Sequence, residues 1–145
     1  MRVKECMSDN VVWVTKDDTV YDVAKLMNEN HIGSMPVCDE NQNVIGIVTD
    51  RDIVLRTIAW DKDVHQTKVK DIITTDVIRT SRDTDVSWVA GIMAKNQIRR
   101  IPVVENEKLV GIISIGDLAT NEEIPEQQVA ECMEHICSCT KKNAE

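Results

Sequence analysis

The sequence predicts an α+β fold of two tandem β-α-β-β-α units followed by a C-terminal helix. Three observations predict it: the chain repeats itself, each copy holds a stretch of helical periodicity, and short β-prone runs flank that stretch. With residue 3 laid on residue 69, Val3-Lys4, Val11, Asp17, Val20, Val23, Ala24 and Met27 recur as Val69-Lys70, Val77, Asp83, Val86, Val89, Ala90 and Met93. Asn30, Ile32, Pro36 and Val37 recur as Asn96, Ile98, Pro102 and Val103. One residue is dropped after Asp39, and then Val44-Ile45-Gly46-Ile47-Val48-Thr49 lies over Leu109-Val110-Gly111-Ile112-Ile113-Ser114, and Asp52 over Asp117. Two copies of this length are too few and too long for a solenoid. They read as one duplicated unit whose halves pack on each other.

Each unit opens with a β-prone segment, Val11 to Val14 or Val77 to Thr80. An amphipathic helix follows, because Val20, Val23, Ala24 and Met27, and their counterparts from Val86, fall at i, i+3, i+4, i+7. Thr19 and Asp85 are placed to cap it. The next strand runs around Met35-Pro36-Val37-Cys38 or Ile101-Pro102-Val103-Val104. Its proline has no N–H, so the strand should be short or lie at an edge. A polar turn leads to the apolar strand Val44 to Val48, or Leu109 to Ile113, and Thr49 or Ser114 opens a second helix. The predicted organisation is a first unit at 1–60, a polar linker at 61–68, a second unit at 69–120, and a C-terminal helix with a Cys-containing tail at 121–145. In that helix Pro125 suits the first turn, and Val129, Cys132, Met133 and Ile136 form an apolar stripe.

The 145 residues are 42% hydrophobic and 29% charged, with a formal net charge of −8. That balance lacks the basic footprint of a general nucleic-acid binder. No apolar run approaches the roughly 20 residues of a membrane span, and Met1-Arg2-Val3-Lys4-Glu5 leads into no secretory signal. A cytoplasmic protein, with neither nucleic acid nor membrane as partner, is the expectation. The five cysteines are odd in number and unevenly spread, which reads as free thiols in a reducing compartment.

The segment Gly-apolar-apolar-Thr/Ser-x-x-Asp occurs twice, at Gly46 to Asp52 and Gly111 to Asp117. There a buried strand hands over to a helix N-terminus, whose free N–H groups suit an anion. The hydroxyl could donate to a phosphate, and the carboxylate could accept two hydrogen bonds from a ribose diol. The glycine would let a flat ring approach the backbone. The same spacing is equally a capping box that needs no ligand. In Ile98-Arg99-Arg100-Ile101-Pro102-Val103, alternation puts Ile98, Arg100 and Pro102 on one face. An apolar residue, a guanidinium and a proline ring there suit an adenine beside a phosphate, or else the arginines are simply solvated. The first copy offers Ile32, Ser34 and Pro36, without a cation.

Taken in order and repeated, the two motifs resemble a tandem pair of cystathionine-beta-synthase (CBS) domains, a Bateman module, of the stand-alone type found in bacteria and archaea. The resemblance covers residues 3 to about 119. It implies pseudo-twofold packing of the units with a cleft on each side, a disc-shaped homodimer, and an adenosine ligand: AMP, ADP, ATP or S-adenosylmethionine. It implies control of a partner protein, which the sequence does not name. Carried over by position, Ser114 would hold phosphate or ribose, Asp117 the ribose hydroxyls and Arg100 the phosphate, while Ile98, Pro102, Ile78 and Thr80 line the base pocket. The first site would use Thr49 and Asp52, with Val12, Val14, Ile32 and Pro36 around the base. Ser34 replaces its phosphate-binding cation there, Arg51 could compensate, and the second site should be the tighter.

Cys132, His135, Cys137 and Cys139 crowd metal-ligand types into eight residues of the C-terminal segment, without the paired spacing of a zinc ribbon. The plainer reading buries Cys132 on the apolar stripe and leaves the rest as free thiols. Cys6 and Cys38 lie in apolar segments and read as small core residues. His31, His65 and His135 are dispersed, and neither a phosphate loop nor a dinucleotide turn occurs. The expectation is not an enzyme, with no catalytic cofactor and an adenine nucleotide as regulatory ligand that repacks the units. The alternatives are a homodimeric scaffold without nucleotide, or a thiol or metal sensor acting through the C-terminal cysteines.

Overall fold

The structure is a computed structural model; it describes residues 1–144, and side chains for residues 1–138. It is α+β, with two three-stranded sheets. The chain sorts into two compact units whose limits cross the repeat limits. The Asp52 unit comprises Val12–Val77 with Glu107–Leu109; the Asp117 unit comprises Met1–Val11, Ile78–Asn106 and the chain from Val110 onward.

In the Asp52 unit, β1 (Val14–Thr15), β2 (Ser34–Cys38) and β3 (Val44–Thr49) form a sheet in that order. β1 is parallel to β2 with Val14 opposite Val37, and β3 is antiparallel to β2 with Pro36 opposite Ile47. α1 (Val20–Asn30) is capped by Thr19, whose Oγ1 accepts the Asp22 N–H at 3.1 Å. Its buried face, Val20, Val23 and Met27, meets Val14, Met35, Val37, Val48, Ile53, Val69 and Ile72 in one core. α2 (Asp50–Ile53) is short and passes into a π-helix, Val54–Ile58.

The Asp117 unit repeats this plan with β4 (Thr80–Ser81), β5 (Arg100–Glu105) and β6 (Lys108–Ser114), although β6 begins among residues grouped with the Asp52 unit. α3 (Val86–Asn96) is capped by Asp85, whose Oδ1 accepts the Ser87 N–H at 2.8 Å. α4 (Ile115–Ala119) and α5 (Glu126–Ala144) complete the unit. Ile124, Cys132 and Ile136 of the C-terminal segment join Val89, Met93, Ile101, Ile113 and Leu118 in its core.

The proline strands are short, the first of the two expected alternatives, and they lie at the centre of their sheets rather than at an edge. Ile47 gives both backbone groups to Thr74, at 3.0 and 3.2 Å, so it asks nothing of Pro36. On the other side β1 pairs only Val37 and Cys38. The missing proline N–H thus falls where neither neighbour needs it. For the same reason the first strand starts at Val14 rather than Val11, because the next parallel partner back would be Pro36. Pro125 precedes α5 rather than opening it, its carbonyl accepting the Gln128 N–H at 3.0 Å.

The crossing of limits has a hydrogen-bonding cause. The first N–H groups of a helix have no partner inside it. Val20 N–H donates to the Thr67 carbonyl at 2.9 Å and Tyr21 N–H to that of Val64 at 3.0 Å, so residues 61–68, read as a polar linker, close the start of α1. Val86 N–H donates likewise to the Met1 carbonyl at 2.9 Å. The lead-in to each repeat is therefore built into the unit of the other.

Cys38 is buried, and desolvation with the Asp39 charge pushes its thiol up to about 11. Cys6, Cys38, Cys132 and Cys137 are free thiols. Among the described residues, no helix is long and apolar enough to cross a membrane.

Candidate functional site

In the Asp117 unit, β6 ends on Ser114, which turns extended (φ −120°, ψ 162°) to cap α4. Ser114 Oγ accepts the Asp117 N–H at 3.1 Å, and Asp117 Oδ2 accepts the Ser114 N–H at 2.8 Å. The capping box is real, and it occupies one carboxylate oxygen. Oδ1, which accepts no hydrogen bond among the described residues, stands at the half-buried strand end. Arg100, at the start of β5, is exposed, and the neighbouring Arg99 carbonyl accepts the Ile115 N–H at 2.9 Å. Ile78 and Ile98 are half-buried against the core, and Pro102 is buried in β5. Thr80 is 6% exposed, and its Oγ1 has no hydrogen-bond partner among the described residues. A buried hydroxyl left without a partner is costly.

The Asp52 unit carries the same cap. Thr49 Oγ1 accepts the Asp52 N–H at 3.0 Å, and Asp52 Oδ2 accepts the Thr49 N–H at 3.0 Å. Val14 stands where the other unit has Thr80, and its side chain is core. Val12 and Ile32 are half-buried, Pro36 is buried, and Arg51 is exposed in α2. The second oxygen of Asp52 faces a cation here: Oδ1 lies 3.8 Å from Arg56 Nε, within ion-pair range, and Arg56 Nη1 donates to the Ile72 carbonyl at 3.0 Å. Sequence reading missed Arg56, although its i,i+4 spacing from Asp52 was the available signal.

The glycines of the motif do not admit a ring. A Cβ on Gly111 would sit 2.6 Å from the Ser8 carbonyl oxygen, and one on Gly46 would sit 2.8 Å from Ile73 Cδ1 and 2.9 Å from the Thr74 carbonyl oxygen. The lead-in segments fill that space: Ser8 makes an isolated bridge to Ile112 and Thr74 one to Ile47. Close approach is the right reason for glycine, but a chain makes the approach.

Cys6 lies close enough to Asp117 to feel its charge; burial raises the thiol first, and Asp117 adds to it. A cavity of about 470 Å³ lies elsewhere in this unit, lined by Asn121, Ile124, Val129 and neighbours, and touches none of the residues above. In α5 the buried Cys132 thiol donates to the Ala90 carbonyl at 3.3 Å, and burial raises its pKa. His135 Nδ1 lies 2.8 Å from the Glu131 carbonyl, Cys137 is half-buried, and the Cys139 side chain lies outside the described residues. Among the described residues, no group of three or more His, Cys, Asp or Glu is placed to hold a metal ion.

The CBS domain profile matches residues 3–57 and 69–123. The uncharacterized protein YlbB of Bacillus subtilis is 40% identical over 127 residues, 87% of this chain and 85% of that one. The CBS domain protein TA0289 of Thermoplasma acidophilum, of unknown function, superposes with a TM-score of 0.80 at 29% identity, over 93% of this chain and 75% of that one. The CBS domain pair of protein MJ0100, solved with 5′-methylthioadenosine and S-adenosyl-L-methionine, superposes with a TM-score of 0.74 at 28% identity, over 82% of this chain and 93% of that one. This chain belongs to the CBS domain family, as a tandem pair of CBS domains.

Proposed function

We propose that the chain is a regulatory module, not a catalyst, that binds an adenine nucleotide of the AMP, ADP or ATP type and so controls a partner protein. The observation that carries the reading is the buried, unpartnered Thr80 hydroxyl in the unit whose Asp117 retains a spare carboxylate oxygen. A fold that tolerates an orphan hydroxyl loses stability in the empty state and recovers it when a ligand supplies the bond. Adenosyl ligands in the solved MJ0100 pair support the class. Control of a partner requires the ligand to favour one packing of the chain over another.

The test is a thermal-shift panel with AMP, ADP, ATP, S-adenosylmethionine and zinc, each alone, on reduced protein. A ligand at a hundredfold excess over its Kd stabilises the native state by about 2.7 kcal/mol. Thr80→Val should raise the melting point of the empty protein, by roughly 1 kcal/mol of stability or more, and shrink the shift from the nucleotide. No shift with any adenosine compound would favour the scaffold reading, and a shift with zinc alone would favour the C-terminal thiols.

Self-association belongs to the same reading. Val54, Leu55, Ile58 (60% exposed) and Trp60 (73% exposed) crowd one stretch of the Asp52 unit. The repeat places Ala119, Thr120, Glu123 and Pro125 at the corresponding positions of the other unit. An apolar run acquired by one copy only is the mark of a covered surface, and a second chain is the proposed cover, giving a homodimer. Leu55→Asp with Ile58→Asp should sediment as monomer at concentrations where the parent sediments as dimer; equal sedimentation coefficients would remove this surface from the interface.

A further inference from the structure

We propose that Arg56 closes the Asp52 site to a ribose diol, so that each chain takes a single nucleoside, at Asp117. The inference rests on the nucleoside reading above and adds its stoichiometry and the residue that sets it. The two units carry the same capping box, with the same oxygen, Oδ2, accepting the cap N–H. What differs is the other oxygen. Asp52 Oδ1 faces the Arg56 guanidinium at 3.8 Å, and that guanidinium is fixed from behind by its bond to the Ile72 carbonyl at 3.0 Å. A diol reaching Asp52 has to displace a cation held at two points.

Duplication supplies the control. Asn121 holds the position of Arg56 in the Asp117 unit. Its side chain is turned to other partners: Nδ2 points to Met1 Sδ at 3.4 Å, and Oδ1 accepts the Glu123 N–H at 3.0 Å. Cys6 holds the position of Ile72, and its thiol feels the Asp117 charge. A second difference is independent of the arginine. The unpartnered hydroxyl of Thr80 lies at a base-pocket position where the other unit has Val14; the Asp52 unit has a buried hydroxyl without a partner among the described residues, Thr57, but at none of the base-pocket positions. Both differences select the same unit.

The pair is weak by itself, because the Arg56 side chain is half-exposed. Its effect is on competition for one acceptor, not on the stability of the fold. Removing it therefore leaves a folded protein with a second acceptor uncovered.

The experiment is calorimetric titration of the full chain with adenosine, which carries the diol and no phosphate, taken to millimolar concentration. The parent should bind one adenosine per chain. Arg56→Ala should bind two, the added site being the weaker because Val14 supplies no hydroxyl. Arg56→Gln, which keeps a polar helix-forming side chain but carries no charge, should also bind two, and it decides the matter if the alanine variant does not fold. Two adenosines bound by the parent, or one bound by a folded Arg56→Gln, overturns the gate and leaves the nucleoside reading standing. Where adenosine does not bind, AMP replaces it in the same three titrations and is read in the same way; absence of binding by both overturns the nucleotide reading, and the gate with it.

Discussion

Alanine at Gly111 should lower stability by about 3 kcal/mol, the upper end of what overpacking costs. The added methyl would sit 2.6 Å from the Ser8 carbonyl oxygen. That oxygen cannot retreat cheaply. It accepts the Ile112 N–H at 2.9 Å, and the Ser8 N–H donates to the Ile112 carbonyl at 2.9 Å, so moving the segment breaks a reciprocal pair. For a chain of this size the loss corresponds to a fall in Tm of roughly 6–12 °C. Gly46→Ala should cost somewhat less, because the Ile73 side-chain end at 2.8 Å can rotate and the backbone obstacle, the Thr74 carbonyl oxygen, stands farther off at 2.9 Å. Gly91→Ala is the opposite case. Nothing lies within 4 Å of the added Cβ, and the position is interior to α3, so the change should stabilise by about 0.5–1 kcal/mol. Melting curves of the three variants decide the matter. A Gly111→Ala protein as stable as its parent would mean that the lead-in segment does not hold its place against β6.

The same glycines show where sequence reading succeeds and where it stops. The repeat, the two amphipathic helices, their Thr19 and Asp85 caps and both capping boxes were legible, because each follows from local spacing. Close approach at Gly46 and Gly111 was legible too, but what approaches was not. The neighbour is a segment far along the chain, and spacing within a motif carries no information about it. The centrality of the proline strands was hidden for the same reason: it depends on Thr74 drawing both backbone groups of Ile47 away from Pro36. Thr80 illustrates a subtler limit. Its place in the base pocket was an inference from resemblance, whereas its unpartnered hydroxyl is a property of its surroundings. Arg56 was overlooked because it lies outside the motif, although an Asp-to-Arg spacing of four on a helix predicts a pair.

Asparagine at Asp117 should abolish most nucleotide affinity while leaving the fold intact. The aspartate has two duties, and this substitution separates them. As a cap it needs one oxygen to accept the Ser114 N–H, now at 2.8 Å, and an amide oxygen can do that. As the acceptor for a ribose diol it needs a charged oxygen receiving two O–H groups, and an amide presents an N–H₂ donor in that place. Each hydrogen bond to a charged acceptor contributes about 1.5–3 kcal/mol. Losing two at the lower figure costs about 3 kcal/mol, roughly 150-fold in Kd. Ser114→Ala tests the other duty. It removes the acceptor of the Asp117 N–H and should cost about 1 kcal/mol of stability. Titration with AMP, beside melting curves of both variants, gives the answer. Unchanged AMP affinity in Asp117→Asn would reduce the carboxylate to a helix cap, and loss of the fold in that variant would show that the cap requires the charge and not merely an oxygen.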